Sequence, residues 1–199
     1  MLTMSDSQLR IRAARENDAA AVAAIYAPYV RETAVSFEVE SPAPGTMAQR
    51  IAGTLGTHPW LVAEDGIGEI VGYAYAGKHR ERAAYRWSVD ATIYVGRPRR
   101  RSGVGRALYG ALLEVLRRQG FRSAFAEIVL PNPGSVHLHE AMGFEPIGVH
   151  RDVGFKLGCW HDIGYWRLGL SSGVAPAPEP VPFAAFRETP AFAAALCPP

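Results

Sequence analysis

The sequence predicts a layered α/β domain, in the α+β sense, built around one mixed sheet. Three observations carry that prediction. Alternating segments and helical periods follow one another in the order β-α-β-α-β-β-β-α-β-α-β-β, with strands dominating the middle of the 199 residues. Hydrophobic residues make up 48% and charged residues 20%, ordinary for a globular chain whose length suits one well-cored domain. The strongest strand signal runs through an Arg- and Gly-rich loop directly into a helix with an unbroken apolar stripe.

Taken in order, Gln8–Ala14 alternates as a first strand, and Asn17 or Asp18 is placed to cap the next helix. That helix carries "AAAVAAIYAPYVRET", with a bend or break expected near Pro28. Ala34–Glu40 alternates and reads as extended, "PAPG" as a linker, and Thr46 to Leu55 as a helix. Trp60–Asp65, the turn "GIG" and Glu69–Gly77 make a hairpin. Tyr85–Val95 sets Val89, Ala91, Ile93 and Val95 on one face, and Asp90, Thr92 and Tyr94 on the other.

In the helix that follows, Val104, Leu108, Ala111, Leu112, Val115 and Leu116 recur at helical spacing. Ser123–Leu130 is a core strand, Asn132–Met142 a short capped helix, and "FEPIGVHRDVGF" and "CWHDIGYWRLGL" two closing strands. From Ser171 the chain is rich in Pro and Ala without a clean period. It reads as an extended or disordered tail, which divides the chain into a domain over 8–170 and a tail over 171–199.

Composition narrows the function classes. A formal net charge of +2 is small for a dedicated nucleic-acid binder, so the arginine cluster is a local feature. No stretch approaches the roughly 18 apolar residues of a membrane span, and the N-terminus lacks a signal-peptide core. Cys159 and Cys197 are too few for a disulfide framework. The expected setting is cytoplasmic.

The stretch Arg97 to Arg106 holds five arginines in ten residues. Strand, "RRSGVG", helix is a geometry that aims unpaired N–H groups and the helix dipole at an anion. A Walker loop needs Gly-Lys-Ser/Thr, but Arg106 follows Gly105; a dinucleotide fingerprint needs a third glycine where Leu108 stands. A nucleic-acid arm would interleave aromatics, and none occurs between Arg97 and Leu108. A solvated basic turn is the bland alternative. The chemistry favours a phosphate cradle.

Here the chain resembles a known family. "RRSGVG" after a long strand is similar to the acyl-CoA loop of the GCN5-related N-acetyltransferase (GNAT) superfamily, and "PNPGSVHLHEAMGF" to its Asn-x-x-Ser helix ending in Gly-Phe. "IYAPYVRETAVSFE", "PWLVAEDG", "GYAYAG", "RAAYRWSVDATIYV" and "GFKLGCWHDIGYW" further resemble the phosphinothricin and methionine sulfoximine N-acetyltransferases. The resemblance covers roughly Leu9 to Leu170. It implies a GNAT fold, a mostly antiparallel central sheet flanked by helices, and acetyl-CoA as co-substrate. It also implies a homodimer, without nucleic acid or membrane partners.

The same resemblance assigns roles. Arg100, Arg101, Ser102, Gly103, Val104 and Gly105 would hold the pyrophosphate, and Ile93, Tyr94 and Val95 would flank the pantetheine arm as a strand partner would. Asn132 and Ser135 would touch the cofactor, a role compatible with helix capping. The implied reaction is direct attack, in a ternary complex, by the α-amino group of a small amino-acid analogue such as phosphinothricin or methionine sulfoximine. A strand amide near Tyr94 would polarise the carbonyl.

A protonated amine needs a proton acceptor, and Asp90 is the candidate; an ion pair with Arg82 or Arg86 is the structural alternative. The relatives carry Glu at the matching place. Aspartate is shorter by about 1 Å, which favours a water relay. His139, where those relatives also carry His, is the candidate on the sulfur side, against a satisfied core histidine. His137 faces elsewhere, and Cys159 with His161 lacks further ligands, so no metal is expected. Cys159 reads as buried or interfacial.

For the substrate, Arg82 and Tyr85 suit acidic groups, Phe37 and Trp87 would wall the pocket, and Lys156 and Trp160 would close the site or a dimer interface. Two rivals stand: a GNAT for another small amine or a peptide N-terminus, and an Arg-rich nucleic-acid module whose binding would depend steeply on salt.

Overall fold

The computed structural model describes residues 9–172 and 178–196. In chain order these form β1 (Arg10–Ala13), α1 (Ala19–Glu32), α2 (Pro44–Leu55), β2 (Trp60–Glu64), β3 (Ile70–Lys78), β4 (Ser88–Val95) and α3 (Val104–Gln119). There follow β5 (Ser123–Leu130), α4 (Pro133–Ala141), β6 (Glu145–Lys156), β7 (Cys159–Gly169), α5 (Phe183–Phe186) and α6 (Pro190–Ala195). The strands make one sheet in the order β1-β2-β3-β4-β5-β7-β6. Among the described residues only β4 and β5 pair in parallel.

Period-two and period-3.6 patterns meet across this sheet. On one face Leu61, Ala63, Ala74 and Ala91 pack under the α3 stripe of Val104, Leu108, Ala111 and Leu112. On the other, Val62, Trp60 and Tyr73 lie under Val22, Tyr26 and Tyr29 of α1 and Met47 and Ile51 of α2. Leu108, Leu112 and Leu116 are fully buried, each stabilising the fold by roughly 1.5–3 kcal/mol.

The feature that positions the site is a failure of pairing. β4 and β5 have eight residues each, yet they pair only at Ser88–Asp90 with Ser123–Phe125. Beyond Asp90 and Phe125 the strands part, and a cleft opens through the sheet. Its walls are Ala91 to Tyr94, Glu127 to Val129, and Asn132, Ser135 and His139.

Several expectations are corrected. α1 is continuous through Pro28, because its buried face (Tyr26, Tyr29, Val30) holds it against the sheet. Residues 34–40 form no strand: Ser36 is buried, and the carbonyls of Ser36 and Glu38 bond the Lys156 ammonium instead of a ladder. α2 starts inside the presumed linker, with Pro44 at its first turn, where a missing N–H costs nothing. Asp18 stands at the N-cap of α1, but its carboxylate accepts from Arg12 at 2.7 and 2.9 Å and from the Arg15 N–H at 2.7 Å. β4 begins at Ser88, and Tyr85 ends a short 3-10 turn.

The C-terminal segment is not wholly extended or disordered. Phe183, Phe186 and Ala195 bury against Val115 on the back of α3, with Leu55 beside them. Gln119 and Val181 exchange hydrogen bonds, Val181 N–H to the Gln119 carbonyl at 2.7 Å and Gln119 Nε2 to the Val181 carbonyl at 2.8 Å. Gln8 and Cys197 lie outside the described residues.

Candidate active site

β4 alternates, so its side chains divide between the two layers. Tyr94 packs edge-on against Tyr26 and Tyr29 of α1 with centroids 4.9 Å away, which puts Asp90 and Thr92 on the α1–α2 side. Ala91 belongs to the α3 side. His139 is on that side too, its Nε2 3.0 Å from the Tyr109 hydroxyl of α3. The two candidate catalytic residues therefore flank the cleft from opposite faces of the sheet.

Asp90 does not pair with Arg82 or Arg86. Its Oδ1 lies 2.6 Å from Nδ1 of His79, a residue the sequence reading passed over. The His79 ring stacks on Phe125 at 4.1 Å, and Tyr85 meets it edge-on at 5.9 Å. Burial raises the Asp90 pKa above the ordinary carboxylate value, opposed by the His79 contact. Arg86 pairs instead with Glu179 at 2.9 Å.

His139 is buried, and both ring nitrogens are engaged. Nδ1 lies 2.8 Å from the Ser135 carbonyl, to which only a protonated nitrogen can donate, and 3.3 Å from Ser135 Oγ. In the neutral ring Nε2 is then the acceptor of the Tyr109 O–H. Burial lowers the His139 pKa and raises that of Tyr109. Tyr109 also lies 3.3 Å from the Ala91 carbonyl, which makes it a second residue missed from sequence.

The glycine loop forms as its composition requires. Gly103 sits at the N-cap of α3 with φ +87°, a left-handed conformation that glycine adopts without strain. The arginines around it divide. Arg97 pairs with Glu32 and Arg99 with Asp65, each at 2.6 Å. Arg100, expected on the phosphate, lies over the Tyr29 ring at 4.7 Å with Nε 3.3 Å from its hydroxyl. Ser102 Oγ donates to the Arg99 carbonyl at 2.6 Å. Arg101 and Arg106 are exposed and make no such contact among the described residues, which leaves them as cations beside the helix start. Arg106 was outside the expected set.

Asn132 caps α4, its Oδ1 accepting the Ser135 N–H at 3.2 Å, and both residues line the cleft. Ile93 and Val95 line up beside Gly105, and Ile93 and Tyr94 also line the cleft. Arg82 and Tyr85 are exposed on the loop before β4.

Lys156 is not free to bind substrate. It is buried, and its Nζ donates to the carbonyls of Val30, Ser36 and Glu38 at 2.6, 2.5 and 2.7 Å. Phe37, between two of those carbonyls, lies so close over Gly154 that any Cβ there would overlap its ring. Trp87 leaves the pocket, donating to the Pro178 carbonyl at 2.8 Å. Cys159 is exposed, not buried, and so is Trp160. No described helix is long and apolar enough to cross a membrane.

Comparison with known proteins agrees with this fold. Residues 11–164 match the family described as acetyltransferase (GNAT) domain. A phosphinothricin N-acetyltransferase of Streptomyces viridochromogenes is 40% identical over 171 residues, spanning 85% of this chain and 92% of that one. A methionine sulfoximine/methionine sulfone acetyltransferase of Salmonella typhimurium is 32% identical, spanning 84% and 98%. The crystal structure of a Sinorhizobium meliloti phosphinothricin acetyltransferase in complex with AcCoA superimposes with a TM-score of 0.81. It is 34% identical and spans 87% of this chain and 93% of that one.

Proposed function

From the premise that the chain belongs to the GNAT family and is an acetyl-CoA-dependent acetyltransferase, we propose that it acetylates the α-amino group of a small amino-acid analogue. Phosphinothricin and methionine sulfoximine are the candidate acceptors, by analogy with the relatives. The observation that carries the reading is the cleft that opens where β4 leaves β5, at the last paired residues Asp90 and Phe125. An extended thioester arm can enter such a gap and bond the freed edge of β4.

The parts of this chain fit that arm. The start of α3 offers unpaired N–H groups with Arg101 and Arg106 for the pyrophosphate, while Ile93, Tyr94, Asn132 and Ser135 line the cleft and Val95 sits beside Gly105. Attack is direct, amine on thioester, because both would meet within one opening. Asp90 serves the amine side and His139, with Tyr109, the sulfur side. Tyr85, exposed against the His79 ring, and Arg82, exposed on the same loop, offer donors to the acidic groups of the acceptor, and Phe37 forms a wall.

The exposed apolar face of β6 and β7, with Ile147, Val149, Phe155 and Trp160, suits a second copy of the chain. A cytoplasmic setting supplies acetyl-CoA, and acetylation of phosphinothricin there would give resistance to it. The test is thiol release from acetyl-CoA with each analogue across a concentration series. Saturable turnover with either supports the acceptor class. If neither turns over while acetyl-CoA raises the melting temperature, the acceptor belongs to another amine class.

A further inference from the structure

We propose that His79 is a catalytic residue, the group that takes the proton from the incoming amine, and that Asp90 is its positioning partner. This rests on the acetyl-transfer reading above and deepens it. Four observations carry it. Nδ1 of His79 lies 2.6 Å from Asp90 Oδ1, which commits one carboxylate oxygen to the ring. The ring is fixed in plane by its stack on Phe125, 4.1 Å away with a 13° interplanar angle. Phe125 and Asp90 are the final pair before β4 and β5 separate, so the dyad stands at the apex of the cleft. Among the described residues Nε2 of His79 has no hydrogen-bond partner, although Nδ1 is held.

The arrangement answers a chemical difficulty. An aspartate is a weak base for an ammonium group, and general-base catalysis is most effective when the acceptor titrates near the working pH. An imidazole does so, and a carboxylate on its far nitrogen fixes the tautomer and stabilises the imidazolium that forms. It also carries the basic atom one ring further than the short Asp90 side chain can reach. The other charged and titratable groups around the dyad, among the described residues, are Tyr75, Arg80, Tyr85, Glu127 and Tyr165. Tyr85 meets the imidazole in an edge-type contact at 5.9 Å.

The step balances. The ammonium gives one proton to His79 Nε2, and the lone pair so freed forms the C–N bond at the thioester carbonyl. The C–S bond breaks with its electrons on sulfur, and the second nitrogen proton ends on that sulfur. The imidazolium then returns its proton to solvent. One ammonium and one thioester become one amide, one thiol and one proton.

Two measurements test this, and the first does not depend on the acceptor. Nitrogen-15 NMR of the full chain, at a pH where the ring is neutral, is expected to show His79 with its proton on Nδ1 and a lone pair on Nε2. A proton on Nε2 would overturn the proposal, because the ring would then offer no lone pair to an ammonium. The second is kinetic. His79→Gln is expected to lower kcat/KM for the amine about 10²-fold at pH 7 with acetyl-CoA affinity unchanged. Free imidazole is expected to restore part of the turnover of His79→Ala. A wild-type rate in His79→Gln, or a loss that imidazole does not rescue, would overturn it. If the wild type acetylates neither analogue, the acceptor class falls, while the NMR tautomer still decides the dyad.

Discussion

Lys156 donates to the Ser36 carbonyl at 2.5 Å, binding the end of β6 to the loop between α1 and α2. Together with the bonds to Val30 and Glu38, it uses all three of its ammonium donors on main chain. The same loop carries Val35, which lines the cleft, and Phe37, which covers Gly154. One buried cation thus shapes the acceptor side from outside it.

Replacing that cation tests the arrangement. Lys156→Met keeps the length and removes the donors, leaving three carbonyls to find water. The expected loss of stability is about 2–3 kcal/mol, since bonds to charged groups are among the stronger ones. KM for the amine should rise more than kcat falls, and the acetyl-CoA dissociation constant should hold. Urea unfolding with steady-state kinetics checks all three.

The arginines of the glycine loop should separate by role. Arg101→Ala and Arg106→Ala are each expected to weaken acetyl-CoA binding about tenfold, and to flatten its salt dependence. Arg100→Ala should leave affinity near the wild-type value and lower the melting temperature, because its cation lies on Tyr29. Calorimetric titration at two salt concentrations distinguishes the sets. Equal affinity losses in all three would return Arg100 to the phosphate.

Acid should destabilise the fold through His139. Burial lowers its folded pKa below the unfolded value, so the unfolded chain binds the proton more readily. Its contribution is complete above the ordinary imidazole range and is lost as pH falls through it. His58, lowered by burial as well, acts in the same sense. The melting temperature should drop between pH 7 and 5, and less steeply in His139→Gln.

The C-terminal helices should prove integral to the domain. Phe183 is fully buried against the back of α3, so Phe183→Ala is expected to cost about 3–5 kcal/mol. Ending the chain at Leu170 would uncover Val115 and expose Gln119, both among the least exposed residues. Thermal melts of the two variants measure this. An unchanged melting temperature would mean the segment merely rests on the surface.

Much of this was open to reading in the linear chain. The α3 stripe, the alternating faces of β4, the glycine cradle and the Asn132 cap are local patterns, in which one element's period or one turn's chemistry decides the outcome. His79 was legible only with a register. Gly77 opposite Asp90 puts position 79 across from Ser88, diagonal to Asp90 and on its face. The basic loop between β3 and β4 gives no way to count that register. The division of arginines depended on Glu32, Asp65 and Tyr29, each far away along the chain.

By itself, then, the sequence determined the elements from β2 to β7 with their order, the glycine-rich start of α3 and the family to which they belong. Those follow from short-range sterics, hydrogen-bonding type and periodicity, which neighbouring residues carry. Tertiary structure alone decided that β4 and β5 part after Asp90 and that His79 completes the carboxylate. It alone set Lys156 to hold a loop and the Pro-rich end to cover α3. Each of these is a contact between segments brought together by packing, and packing is a property of the whole chain.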